Sequence, residues 1–207
     1  VHVFEEQLSR FTDQQILKEK ENKGAKLKKT SGSMSELLFP DKPSYQSWNI
    51  KFGHIMEKAL NACIPPACQY PLSHIVCEGA GINKKSKKKK RTQLDLISKK
   101  GNTFYYLESK NNLNLDTTKL PGELEKIAKV KNALERDYPG CDVVNKFVTG
   151  RFSTVSEIPA RFFKNGLTKD NVIGYNEFFV LWGHEPIELK DYERMIAEQG
   201  VKFETLS

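Results

Sequence analysis

Long apolar runs are missing from this chain. The longest near its end, FFVLWG at 178–183, is six residues, against the roughly 20 that cross a bilayer as a helix. The opening VHVFEEQ lacks the basic, apolar and cleavage regions of a secretory signal. Cysteine is scarce: Cys63, Cys68, Cys77 and Cys141 lack the dense, regular spacing of a secreted disulfide scaffold and suit a reducing compartment. Cys63, Cys68, His74 and Cys77 do not match the spacing of a zinc knuckle, which leaves buried or idle thiols as the plain reading. No internal repeat is visible. These absences point to a cytoplasmic protein without a membrane segment.

What is present is a globular composition. With 38% apolar and 29% charged residues, the 207-residue chain is too apolar for wholesale disorder and long enough to bury a core. The formal net charge is +7, yet the run KKSKKKKR at 84–91 alone holds seven cations and no acid, so the rest of the chain is balanced. The positive charge is therefore local. Such a run is commonly a solvated loop. The functional reading is a phosphate contact, because Lys and Arg beside a polyanion release its counterions. Lys87, Lys88, Lys89, Lys90 and Arg91 are the candidate nucleic-acid contacts, since they lead directly into Asp95.

Hydrophobic spacing predicts a helix over 3–21 with Phe4, Leu8 and Phe11 on one stripe, then a joint at 22–35. A second helix over 44–62 carries Trp48, Phe52, Ile55 and Ala59 and stops before Pro65 and Pro66. Strands are predicted at 74–79, 92–98, 103–110, 142–152 and 173–183. A helix starts near Pro121 and runs to about Asp137, with Leu120, Leu124, Ile127 and Leu134 inward, and a last helix covers 189–199. This order is that of a mixed α/β domain whose strands are partly antiparallel.

The stretch QLDLISKKGNTFYYLESKNN, 93–112, places Asp95, Glu108 and Lys110 on two strands that otherwise read as sheet core. Side chains alternate along a strand, so Glu108 and Lys110 share a face. A turn pairing Ser98 with Thr103 sets Asp95 opposite Tyr106 and diagonal to Glu108, about 7–8 Å away. Two carboxylates at that separation reach a common hard cation such as Mg²⁺. Lys110 would then stabilise charge on a scissile phosphate or orient the attacking water. The plain alternative is an ion pair between Glu108 and Lys110 on a solvent-facing sheet, a common arrangement at i and i+2.

The segment from Asp95 through ESK at 108–110 resembles the active-site signature of the PD-(D/E)xK nuclease superfamily, to which many type II restriction endonucleases belong. Leu94 stands where the family name has proline. The family core is a restriction-endonuclease-like mixed β-sheet of helix, three strands, helix and strand, and residues 44–150 follow that order. The resemblance implies that Asp95 and Glu108 ligate Mg²⁺ and that Lys110 assists the water. It also offers Glu57, four residues after Gly53, as a third ligand from the first helix, although Glu57 lies about half a turn from the apolar stripe and reads equally as a surface residue.

The expected organisation is an N-terminal helical arm and joint over 1–40, a catalytic core over 41–150, and a strand and helix over 151–207 that complete the domain and read DNA or dimerise. Asn112, Asn114, Thr118 and Lys119, next to the active strand and at a helix start, are further candidates for contact with the DNA backbone. The function this implies is a Mg²⁺-dependent, sequence-specific cut in double-stranded DNA by a homodimer in a bacterial cytoplasm, two-fold symmetry matching a palindromic site. A junction-resolving or repair nuclease has the same three residues. A basic DNA-binding module with no catalysis is the alternative from another class.

Overall fold

A computed structural model describes residues 2–26, 45–110, 113 and 120–204 and divides the chain into two units, 1–63 with 187–207 and 64–186. Among the described residues the elements are α1 (Val3–Lys26), α2 (Tyr45–Cys63), β1 (His74–Ile75), β2 (Thr92–Gln93), β3 (Leu96–Lys100), β4 (Thr103–Lys110), α3 (Leu120–Asp137), β5 (Asp142–Thr149), β6 (Val172–Gly174), α4 (Tyr175–Leu181) and α5 (Leu189–Glu204). No described helix is long and apolar enough to cross a membrane.

The first unit is helical. Phe4 and Leu8, one turn apart, are wholly buried, and Phe4 stacks on Tyr192 of α5 at 5.9 Å. The α2 stripe read from the sequence is buried at Ile55 and Ala59 and half-buried at Phe52, while the side chain of Trp48 lies outside the described residues. Ion pairs of Lys51 with Glu19 at 2.8 Å and Lys202 with Asp13 at 2.9 Å tie α2 and α5 to α1 along its polar side.

The second unit holds the sheet. Its strand order is β3-β4-β5-β6, with β3 antiparallel to β4 and the rest parallel; β1 and β2 form a separate antiparallel pair. The protein is thus mixed α/β. A parallel β4–β5 pair requires a crossover between its strands, and α3 supplies it. Its inner stripe of Leu120, Ile127, Val130, Ala133 and Leu134 packs with Phe104, Tyr106 and Phe147. Tyr105, pointing the other way along β4, meets Trp182 edge-on at 5.4 Å, so the segment after α4 covers the opposite face.

Of the predicted strands, 74–79 shortens to His74–Ile75 and pairs with β2 outside the main sheet, and 92–98 is interrupted at Leu94 and Asp95; two further differences bear on the site. The run IGYNEFFVLWG, predicted as a strand over 173–183, is strand only to Gly174 and then turns into α4. Short apolar runs satisfy strand and helix templates alike. Here the capping decides: Glu177 Oε2 accepts the N–H of Gly174 at 2.7 Å and that of Val155 at 3.1 Å, which closes the first turn as a capping-box carboxylate does. Tyr175, Phe178, Phe179 and Trp182 are then buried at helical spacing. A Cβ on Gly174 would collide with the Ser153 carbonyl and stand 2.6 Å from Thr154 N, so only glycine fits where β6 passes that loop.

The second difference is the hairpin register. Ser98 pairs with Tyr105, not Thr103, and the closing pair is Lys100 with Thr103 around Gly101 and Asn102. Gly101 has φ +60°, and Asn102 is not among the positive-φ residues. That is the sign pattern of a type II′ turn, whose twist matches a two-residue hairpin. The tighter turn moves the pairing by two residues, which keeps every side chain on its predicted face.

Candidate active site on the hairpin

The shift in register brings the two acids nearer than the sequence suggested. Leu96 pairs with Leu107, so the next position, Asp95, falls opposite Glu108 rather than Tyr106. The ladder stops there. Leu94 gives its N–H to the Ser73 carbonyl at 3.0 Å, and Asp95 Oδ2 instead accepts the Ser109 N–H at 3.3 Å. Asp95 thus caps the open end of the hairpin between the two residues of interest on the facing strand.

Phe104, Tyr106, Glu108 and Lys110 alternate onto the face of β4 that α3 covers. Glu108 is only 2% exposed. A charge that deep requires partners, and it has three. The Tyr106 hydroxyl donates to Oε2 at 2.5 Å, Lys110 Nζ to Oε1 at 3.0 Å, and Lys126 Nζ lies across both oxygens at 2.7 and 2.8 Å. Lys110 Nζ also forms an ion pair with Glu123 Oε2 at 3.2 Å, and that buried oxygen has no hydrogen bond among the described residues.

Burial is the largest influence on the Glu108 carboxyl and pushes its pKa up, but Lys110, Lys126 and Tyr106 together outweigh it and hold it below the ordinary value. For Lys110 burial again acts first, lowering it, and Glu108 with Glu123 overcomes this and raises it. Both groups are therefore charged at neutral pH. The Tyr106 phenol is pushed far up by burial and then by Glu108, Asp95 and Glu123, so it stays a donor. Glu108 is the carboxylate that meets this hydroxyl directly.

The structure brings together Asp95, Glu108 and Lys110. Glu57 lies in the first unit, on α2, with its carboxylate 3.7 Å from His54 Nδ1. Asn112, Asn114, Thr118 and Lys119 lie outside the described residues. Lys87, Lys88, Lys89, Lys90 and Arg91 are exposed. Their loop is ordered by Asn83, which accepts the N–H groups of Lys85 and Ser86 on its side chain and that of Lys87 on its carbonyl, and Ile82 bridges Lys89. No cation of this loop pairs with an acid among the described residues, so the run is a shaped basic turn.

Glu123, Lys126 and Tyr106 are site residues that the motif did not name. The signal for the helical pair was present. Glu123 and Ile127, like Lys126 and Val130, are four apart, so both polar residues continue the buried stripe of α3 toward its N-terminus.

Among the described residues no three His, Cys, Asp or Glu side chains are grouped so as to hold a metal ion. The chemistry of the donors nevertheless fits a hard divalent cation: Asp95 and Glu108 offer carboxylate oxygens, and Glu123 Oε2 is buried without a hydrogen bond among the described residues, met only by the Lys110 ammonium as an ion pair at 3.2 Å. What opposes a cation is the present placement of ammonium groups on Glu108. None of the four cysteines forms a disulfide. No model of a known protein family, no curated protein and no solved structure matches this chain.

Proposed function

We propose that this chain is a Mg²⁺-dependent endonuclease that hydrolyses phosphodiester bonds of double-stranded DNA, of the type II restriction kind and working as a homodimer. One observation carries the reading. A buried carboxylate, Glu108, and an ammonium two residues on, Lys110, share a face at 3.0 Å, with a second acid, Asp95, at the mouth of the same hairpin. The succession of hairpin, crossover helix α3 and parallel β5 supports the restriction-endonuclease-like core.

Asp95 and Glu108 are the residues that would hold the metal. When bound, Mg²⁺ supplies Lewis-acid polarisation of a phosphoryl oxygen. Lys110, kept protonated by two acids, serves as a fixed positive charge beside the reacting phosphate and as a donor that orients water. The Asn83-ordered turn offers its lysines to the backbone phosphates that flank the cut.

The second reading is a DNA-binding module in which the same residues form only a structural ion cluster. The saturation of both Glu108 oxygens favours it. Incubation with plasmid and phage DNA in MgCl₂, followed by electrophoresis, separates the two. Discrete bands are expected. A smear means cutting without sequence preference, and intact DNA that is nonetheless retarded on a gel leaves the binding module.

A further inference from the structure

We propose that Lys126 is an internal competitor for the divalent cation: it holds Glu108 in the metal-free protein and leaves it when the metal binds. The inference rests on the nuclease reading above and concerns how that site is loaded.

A Mg²⁺ ion takes carboxylate oxygens at roughly 2.0–2.1 Å in near-octahedral geometry. Lys126 Nζ lies 2.7 and 2.8 Å from the two oxygens of Glu108 and so occupies the side from which a cation approaches. One of the three donors to Glu108 has to give way. Tyr106 is wholly buried and two residues away on the same strand, so its hydroxyl is fixed. Lys110 is held from its other side by Glu123 at 3.2 Å. Among the described residues Lys126 has Glu108 as its ion-pair partner, and it is the more exposed of the two lysines, 28% against 19%. Its four-carbon stem swings to solvent without moving α3.

Glu108 and Glu123 meet two ammonium groups, those of Lys110 and Lys126, so a dication entering beside Glu108 adds positive charge where Lys126 already supplies it. Without Lys126 the empty site would keep an additional unpaired charge beside a carboxylate that is almost fully buried. Lys126 therefore stabilises the metal-free fold and weakens the metal. It is a positioning residue for the cation site.

The test is Mn²⁺ binding, followed by electron paramagnetic resonance on the full chain without DNA. Close charge pairs couple by about 1.4 kcal/mol or more, so Lys126→Gln should bind Mn²⁺ roughly tenfold more tightly. Lys126→Arg, which keeps the charge, should bind as the wild type does. Equal or weaker binding by Lys126→Gln overturns the proposal while leaving the metal site in place. Failure of both proteins to bind Mn²⁺ overturns it together with the nuclease reading. If Lys126→Gln does not fold, acetylation of the wild type decides: saturating Mn²⁺ should increase labelling of Lys126, and unchanged labelling refutes the displacement.

Discussion

Glu108→Gln removes one charge and almost no volume, so it isolates what the ion cluster does for the fold. In metal-free buffer the native carboxylate is 2% exposed and shared by Tyr106, Lys110 and Lys126. Removing one partner of a buried pair costs about 3–5 kcal/mol. Two features reduce that here. The lysine side chains are 19% and 28% exposed, so their ammonium groups regain water, and the glutamine oxygen still accepts one bond. We expect a loss of about 2–3 kcal/mol at neutral pH. With a urea slope of about 1–3 kcal/mol per molar, the midpoint falls by roughly 1 M.

The pH dependence fixes the cause. The folded-state pKa of Glu108 lies below its ordinary 4.5, burial being outweighed by Lys110, Lys126 and Tyr106. Its stabilisation is therefore complete above 4.5 and is lost as pH falls through the lower folded-state value. Wild type and Glu108→Gln should converge in acid, where a protonated Glu108 carries no more charge than glutamine. Lys110 works in the opposite sense. Its folded-state value is raised above 10.5 by Glu108 and Glu123 against the effect of burial, so its contribution is complete below 10.5 and fades as pH rises through the raised value. The gap between the two proteins should thus be widest between these limits. Urea midpoints across the pH range measure it, and a gap absent at neutral pH or unchanged in acid refutes the electrostatic account.

Lys110→Ala should lower the rate of plasmid cleavage in Mg²⁺ by at least about 100-fold while leaving retardation of DNA in Ca²⁺ intact; full-rate cutting by this variant removes Lys110 from the chemistry. Replacing Lys87, Lys88, Lys89 and Lys90 by alanine should weaken DNA binding and flatten the salt dependence by about 0.9 in log–log slope for each phosphate no longer neutralised, read by fluorescence anisotropy at several salt concentrations. Gly174→Ala drives a methyl group into the backbone at Ser153 and Thr154. It should destabilise by about 3 kcal/mol, the upper end of overpacking, measured by urea denaturation, whereas alanine at Gly122, where a Cβ meets nothing within 4 Å, should not.

The sequence made the face of the site legible and left its partners obscure, for a reason visible in the hairpin. Strand alternation has a period of two, so the pairing of Ser98 with Tyr105 rather than Thr103 preserves which side chains share a side. Glu108 and Lys110 therefore stay on the predicted face although the opposing residue changed, while Asp95, beyond the end of the ladder, accepts the Ser109 N–H between them. Turn type is set by one φ angle at Gly101, and composition alone does not choose between a two-residue and a four-residue loop. The same limit applied to 175–181, where helical spacing was present but the deciding carboxylate, Glu177, acts through backbone N–H groups that no side-chain pattern displays.

Lys126 was obscure for a different reason. A motif read along β4 registers residues two apart on one strand, whereas Lys126 comes from the crossover helix that the parallel β4–β5 pair requires. Once α3 is laid on that face, its apolar stripe fixes its rotation, and Glu123 and Lys126, between Leu120 and Ile127, lie over the C-terminal half of β4. Glu123 and Lys126 there meet Lys110 and Glu108, so the charge on α3 and the charge on the strand act on one another. It follows that a substitution on α3 should alter the proposed cation site even though no residue of α3 belongs to the strand motif. Glu123→Gln, which frees Lys110 from its second acid, should therefore shift Mn²⁺ binding, and a variant that binds the metal as the wild type does would place α3 outside the site.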